Sequence, residues 1–147
     1  MQFVENDGGR HLAGFRGLAG DCVCRSVAIA AGLPYADVYN RLAHEMKNMR
    51  RPCRTRSPRN GVPVRRVWFK RYMTNLGFEW VPTMHIGQGC RVHLRQGELP
   101  PGRLVVQVSK HLTAVIDGVV HDTHNPCRDG MRCVYGYWVF KGAGNGI

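Results

Sequence analysis

Apolar residues follow a helical period in the first half of the chain and a strand period in the second. The stretch 21–31 (DCVCRSVAIAA) predicts the first helix, because its alanines are strong helix formers and its apolar residues share one face. Asp21 suits the N-cap, and Gly32 suits the C′ position that follows a helix. Cys22 then lies in the first turn, where unpaired N–H groups and the helix dipole favour a thiolate.

Two further helices are predicted before the chain changes character. After Pro34, apolar residues recur at intervals of three and four positions. This pattern predicts a second helix over about 35–46, with Pro34 just before its start. A third helix is expected to start near Pro63 and to stop at Gly77. Its expected apolar stripe has five members: Val64, Val67, Trp68, Tyr72 and Leu76.

β-Branched and aromatic residues dominate the C-terminal half in runs of strand length. Strands are expected over 78–81, 103–109, 112–116, 119–122 and 134–140. Asp117-Gly118 is a strong signal for a two-residue hairpin turn. Residues 1–19 show little periodicity and are interpreted as an irregular lead-in. The predicted helices therefore precede the predicted strands, which are expected to form an antiparallel sheet of four to six strands. This order indicates an α+β fold in one domain spanning 1–147.

The composition limits the kind of protein further. The chain has 147 residues, of which 44% are hydrophobic, enough for one domain with a real core. No apolar run reaches the roughly 20 residues that span a bilayer, and residues 1–10 carry charges and glycines where a signal peptide would need an apolar stretch. A cytoplasmic protein without a membrane partner is therefore expected. Its six cysteines should be mostly free thiols, with Cys127 and Cys133 as the pair that an oxidising compartment would join.

The formal net charge of +11 is concentrated in one stretch. Ten of the 21 basic residues lie between Lys47 and Arg71, and residues 47–61 have prolines but no apolar period. This pattern indicates either a solvated basic loop or a surface that attracts nucleic acid or an acidic protein segment. The candidate contact residues are Arg50, Arg51, Arg54 and Arg56. The basic residues of the third helix are expected to face solvent: Arg65, Arg66, Lys70 and Arg71.

The predicted hairpin brings a histidine close to a carboxylate. With two turn residues, Ile116 faces Val119, so His111 and Asp122 become diagonal neighbours at the same end of the ladder. A carboxylate that fixes the tautomer of a histidine is what a Cys-His catalytic pair requires. Cys22 is the candidate nucleophile for such a pair.

This order of residues resembles the papain-like cysteine peptidases, in which a cysteine opens a helix and a histidine and a carboxylate follow on strands. In detail it is similar to the compact peptidases that process bacteriocin leader peptides, and to uncharacterised phage and prophage proteins that open with Asp-Cys-Val. The resemblance spans about 20–126 and implies a papain-like α+β domain. It implies that Cys22 is the nucleophile, His111 the general base and then acid, and Asp122 the orienting carboxylate. Asn125 is the alternative third member.

The resemblance implies thiol-based acyl chemistry on a peptide or protein substrate, without a cofactor. Peptide or isopeptide hydrolysis is expected first, and deamidation and transglutamination use the same triad. One feature departs from the family, because residues 16–20 (RGLAG) lack the oxyanion-hole Gln that usually precedes the cysteine. The Cys22 N–H would supply one donor, and Gln88 and Gln107 are the candidates for the second.

Three alternatives accompany this interpretation. Cys24 is a second candidate for the nucleophile. Zinc-type ligands are offered by His121, His124, Cys127 and Cys133, but their spacing matches no familiar finger, so no metal site is predicted. The alternative function is a non-enzymatic basic binding module, such as a phage-encoded inhibitor that uses the basic stretch against nucleic acid or an acidic partner.

Overall fold

The computed structural model describes residues 1–17, 20–49 and 57–142, and these residues form three helices and a six-stranded, mostly antiparallel sheet. This arrangement confirms the α+β class. The helices are α1 (Cys22–Ala31), α2 (Tyr35–Lys47) and α3 (Val67–Leu76), with a single 3₁₀ turn at Pro58–Asn60. The strands are β1 (Gln2–Glu5), β2 (Phe78–Pro82), β3 (Arg103–Val108), β4 (His111–Ile116), β5 (Val119–Asp122) and β6 (Val134–Phe140).

The strands lie across the sheet in the order β1-β5-β4-β3-β6-β2. Neighbouring strands are antiparallel except for β1 and β5, which are parallel. The interpretation of residues 1–19 as an irregular lead-in was therefore wrong for Gln2–Glu5, which forms an edge strand. Only Phe3 of this strand is partly buried, so its sequence shows no alternation of apolar and polar positions.

Tight turns join β3, β4 and β5 into an antiparallel meander. A two-residue turn at 109–110 connects the first pair. Asp117 and Gly118 connect the second pair, with φ angles of 48° and 81°, the positive values that a type I′ turn requires. Ile116 pairs with Val119, so the predicted register is confirmed. This register fixes where the ends of β4 and β5 meet.

Helix α1 begins at Cys22 and ends at Gly32, which adopts the left-handed conformation with φ 68°. Asp21 occupies the N-cap position, but its side chain makes no capping hydrogen bond, contrary to the expectation. The carboxylate instead accepts a hydrogen bond from Arg25 in the next turn. The pair is buried, so Asp21 stabilises the interior of the domain rather than the helix end.

Helix α3 starts four residues later than expected and buries a different set of residues. Arg66 has extended backbone angles and precedes the first helical residue, Val67. The buried positions are Phe69, Tyr72 and Met73, whereas Val67 is 68% exposed. Of the predicted stripe, Tyr72 is buried, and Val64, Trp68 and Leu76 pack against the first apolar cluster. The prediction was wrong for Val67 and for the start of the helix, because Pro63 belongs to a turn that precedes it.

Two apolar clusters lie on opposite faces of the sheet. The first joins the three helices to β3, β4 and β6; its most buried members include Val27, Leu42, Phe69, Met73, Val105 and Ala114. The second lies on the other face, under irregular chain from 83–102 and 123–133; its members include Leu94, Leu104, Val106, Val115, Val120 and Val134. The helical face therefore carries α1, and with it Cys22.

A disulfide crosses the irregular segments on the second face. Cys90 is bonded to Cys133, with the Cα atoms 5.9 Å apart. The expected partner of Cys133 was Cys127, and this pairing was wrong, because Cys127 is buried in the second cluster as a free thiol. Cys22 and Cys24 are free as expected, and Cys53 lies outside the described residues.

Candidate active site

The thiol of Cys22 lies at the N-terminus of α1, next to the first residue of β4. The imidazole of His111 and the backbone N–H of Leu112 lie close enough to the Cys22 thiol to lower its pKa. Cys22 is half-buried in the wall of a pocket of about 320 Å³, which His111 also lines. The sulfur is thus both held by neighbours and open to a ligand.

Asp122 holds the imidazole from the other side. Nε2 of His111 lies 2.7 Å from Oδ2 of Asp122, and the hydroxyl of Thr113 donates to the same oxygen at 2.7 Å. The second carboxylate oxygen accepts the N–H of Thr123. Because Nε2 is engaged by the carboxylate, Nδ1 is the ring nitrogen that remains for the thiol. The three residues predicted as catalytic therefore lie together, in the order Cys22, His111, Asp122.

The electrostatics of this chain favour a thiolate beside an imidazolium. Burial alone raises the pKa of Cys22, but the hydrogen bonds from His111 and Leu112 and the charge of Arg25 outweigh it and bring this pKa below 9.0. Burial alone lowers the pKa of His111, but its bonds to Asp122 and Cys22 raise that pKa to about 9. Burial also raises the pKa of Asp122, yet the bond from His111 holds it below 3.8. Each shift is in the direction that favours the charged form of its group.

Arg25 is a site residue that the sequence pattern did not single out. Its guanidinium bonds to Asp21 and lies 3.7 Å from Oδ1 of Asp122. Asp21 also accepts from the hydroxyl of Tyr35 at 2.5 Å and lies 3.2 Å from Nε of Arg10. Arg25 is only 8% exposed, so it connects two buried carboxylates through the interior. The i, i+4 spacing of Asp21 and Arg25 was the sequence signal for this pair.

Two amide side chains enter the pocket as candidate oxyanion donors. Gln107 of β3 lines it, as does Asn60, which the sequence pattern did not suggest. Gln88 does not; it lies in an exposed turn, where its Oε1 accepts from Arg91 at 2.8 Å. The N–H of Cys22 has no intrahelical acceptor because it belongs to the first turn. A backbone donor and two amide side chains therefore lie in the same pocket as Cys22.

The alternative residues occupy other environments. Cys24 is fully buried in the first cluster, and this burial raises the pKa of its thiol. Asn125 is exposed, and its Oδ1 accepts the N–H of Cys127 at 3.0 Å. Cys133 is committed to the disulfide. Within the described ranges, no group of three His, Cys, Asp or Glu side chains is arranged to hold a metal ion.

The basic stretch is described only in part. Arg50, Arg51, Arg54 and Arg56 lie outside the described residues. Of the basic residues around α3, Arg65, Lys70 and Arg71 are exposed as expected, and Arg66 is half-buried. The positive surface that can be located therefore belongs to α3 and the turn before it.

Comparison with known proteins leaves the site to be judged on its own geometry. No protein-family model matches the chain, and no curated protein or solved structure matches it. Within residues 1–17, 20–49 and 57–142, no helix has both the length and the apolar character needed to cross a membrane.

Proposed function

We propose that this protein is a papain-like cysteine peptidase that hydrolyses a peptide or isopeptide bond. Cys22 is the nucleophile, His111 the general base and then acid, and Asp122 the orienting carboxylate. The observation that supports this most is the imidazole held between the Cys22 sulfur and the Asp122 carboxylate, with Nε2 2.7 Å from Oδ2. A helix that carries the thiol and packs on an antiparallel sheet is also the arrangement expected of a papain-like domain.

The first half-reaction transfers the acyl group to sulfur. The Cys22 thiolate attacks the carbonyl carbon, and the electron pair of the C=O bond moves to oxygen. The Cys22 N–H and the amide of Gln107 stabilise that oxyanion. When the oxyanion collapses, the C–N bond breaks and the His111 imidazolium gives its proton to the leaving amine. The products are a free amine and a thioester.

The second half-reaction returns the enzyme to its starting state. The neutral imidazole of His111 takes a proton from water, and the resulting hydroxide attacks the thioester carbon. Cleavage of the C–S bond releases the carboxylic acid and the Cys22 thiolate. Asp122 fixes the ring through Nε2 in both halves, which keeps Nδ1 directed at the reacting atoms. An amine in place of water would give transglutamination, and a glutamine side chain as substrate would give deamidation.

Alkylation by iodoacetamide tests the reactive thiol directly. We expect Cys22 to be labelled faster than any other cysteine at pH 7, and this labelling to be absent in Cys22→Ala. Because the pKa of Cys22 is lowered, the alkylation rate of the wild type should have its inflection at a lower pH than that of an ordinary cysteine thiol. In His111→Ala the imidazolium is gone, so the inflection should move to higher pH.

Cys24→Ala is the matched control, since it removes a neighbouring buried thiol and should leave the labelling rate unchanged. Mass spectrometry of the labelled protein assigns the modified residue. Equal labelling of the wild type and Cys22→Ala would remove Cys22 from the proposed chemistry. If the alkylation rate has its inflection at the same pH in the wild type and in His111→Ala, the proposed ion pair of Cys22 and His111 is contradicted.

A further inference from the structure

A groove continues from the active-site pocket along α3. The pocket that contains Cys22 shares Val64 and Gln107 with an adjoining pocket of about 260 Å³. The adjoining pocket is completed by Arg65, Lys70, Trp80 and Trp138. Because the two pockets share wall residues, a chain that binds at the thiol can extend into the second pocket.

Two tryptophans on neighbouring strands form the apolar floor of this groove. Trp80 of β2 pairs with Trp138 of β6, and their ring centroids are 5.2 Å apart. Trp138 is 6% exposed, but Trp80 is 36% exposed. Trp80 therefore presents part of a large aromatic surface to a ligand, while Trp138 anchors it to the core.

A glycine in the middle of β6 gives the Trp80 ring its position. A Cβ atom at Gly136 would lie 2.4 Å from two ring carbons of Trp80. Glycine weakens a strand interior, so its presence there indicates that another group must approach closely. The indole thus lies over the backbone of β6, on the side of the sheet where Trp138 meets Phe69 of α3.

Two cations border the aromatic floor. Arg65 and Lys70 are exposed, and neither takes part in an ion pair with a described carboxylate. Cations that are not neutralised by their own protein attract an acidic ligand group, and the neighbouring indole favours an apolar one. The groove therefore favours a ligand that carries an acidic group and an apolar group, and it adjoins the pocket that contains the thiol.

We propose that this groove is the specificity site, and that it binds an extended peptide segment with an acidic side chain beside an aromatic one. The carboxylate binds Arg65 and Lys70, and the aromatic side chain lies on Trp80. This proposal rests on the proposed function, because continuity with Cys22 is what favours a peptide. Cations beside an indole also suit single-stranded nucleic acid, which the test includes as the competing ligand.

Binding to full-length Cys22→Ala separates recognition from chemistry. The probes are fluorescein-labelled octapeptide mixtures of Ala, Gly and Ser around a central pair: Glu-Phe, Gln-Phe, Glu-Ala or Lys-Phe. We expect the Glu-Phe mixture to bind at least about tenfold more tightly than the other three, measured by fluorescence anisotropy. Equal affinities, or tighter binding of a labelled oligothymidylate than of any peptide, would overturn the proposal.

Variants of the groove assign the two preferences to residues. Arg65→Gln with Lys70→Gln should remove the preference for Glu over Gln, and Trp80→Ala should remove the preference for Phe over Ala. Arg71→Gln is the matched control, because this exposed residue of α3 does not line the groove. Retention of both preferences in the groove variants would overturn the proposal.

The two proposals fail in different ways. Loss of fast Cys22 labelling, with peptide selectivity intact, would contradict only the enzyme. Fast labelling with no selectivity among the four mixtures would contradict only the groove. Trp80→Phe keeps an aromatic ring at the floor and should retain most of the selectivity. If the preference for Phe over Ala is lost in Trp80→Ala but not in Trp80→Phe, the aromatic ring is responsible for it. Urea unfolding of each variant shows whether it is folded during the measurement.

Discussion

The surroundings of α1 and the face of the sheet opposite the helices differ in what they bury. Buried polar and charged side chains concentrate in and around α1: Asp21, Arg25, Ser26, Thr113 and Asp122. On the other face, the buried cluster consists of apolar side chains and Cys127, and a disulfide crosses the chain that covers it. Buried polar groups cost stability unless each is paired, whereas apolar burial needs no partners.

This difference separates substitutions that alter the thiol from substitutions that only lower stability. The network around α1 holds its carboxylates through a small number of ion pairs and hydrogen bonds, so removing one member should disturb both the charge and the position of others. The opposite face is held by apolar contacts and one covalent bond. Changes there should lower the free energy of unfolding without altering the thiol. Three variants test this separation, in order of decreasing effect.

The largest effect is expected for Asp122→Asn. An amide preserves the shape of the carboxylate but cannot stabilise the His111 imidazolium and favours the wrong tautomer. We expect turnover of an internally quenched peptide library to fall about 10³- to 10⁴-fold. Asp129→Asn is the matched control, because Asp129 is exposed. Turnover within about tenfold of the wild type would contradict the role of Asp122.

Arg25→Ala comes second and should act on stability. It leaves Asp21 and Asp122, 1% and 3% exposed, without the cation between them. We expect urea unfolding at pH 7 to show a loss of about 3 to 5 kcal/mol. The loss should shrink at acid pH, where Asp122 takes up a proton and needs no counter-charge.

Arg41→Ala is the matched control for Arg25→Ala, because Arg41 forms an exposed i, i+4 pair with Glu45 that should contribute less than about 0.5 kcal/mol. Arg25→Lys retains the charge and should recover part of the loss. Equal unfolding midpoints for Arg25→Ala and Arg41→Ala would show that the buried network does not hold the helical face together.

Cys90→Ser has the smallest expected effect on the site. Cys90 and Cys133 are 43 residues apart, so opening the loop should cost about 2 to 4 kcal/mol of unfolding free energy. The rate of Cys22 alkylation should stay unchanged. Wild type treated with dithiothreitol should unfold at the same urea concentration as the variant. A slower alkylation of Cys22 in folded Cys90→Ser would show that the two faces are coupled.

The local parts of the site were predictable from the sequence. The turn residues Asp117 and Gly118 favour positive φ, so they set the hairpin length and thereby the register. That register places His111 next to Asp122 without any knowledge of the rest of the fold. Cys22 could be predicted as the nucleophile because a polar residue, a cysteine and an Ala-rich run in succession indicate the start of a helix, where a thiolate is favoured.

The long-range parts were not predictable. Strand β1 is four residues long and pairs with β5 near the far end of the chain, and its own sequence carries no period. The Cys90–Cys133 bond joins two loops whose spacing gives no signal. The contact of Arg25 with Asp122 gave no sequence signal, because this second carboxylate lies on β5. Each depends on contacts that form only after the sheet has closed.

The distance along the chain between the thiol and its activating histidine has a consequence for synthesis. His111 follows Cys22 by about 90 residues, which a ribosome adds in roughly 5 to 20 s. During this interval the nascent polypeptide lacks the His111 imidazole, which lowers the pKa of Cys22, and the Asp122 carboxylate, which holds that imidazole. Its thiol is then an ordinary, mostly protonated one. The order of residues thus delays reactivity until the hairpin that carries His111 and Asp122 has been made and has folded against α1.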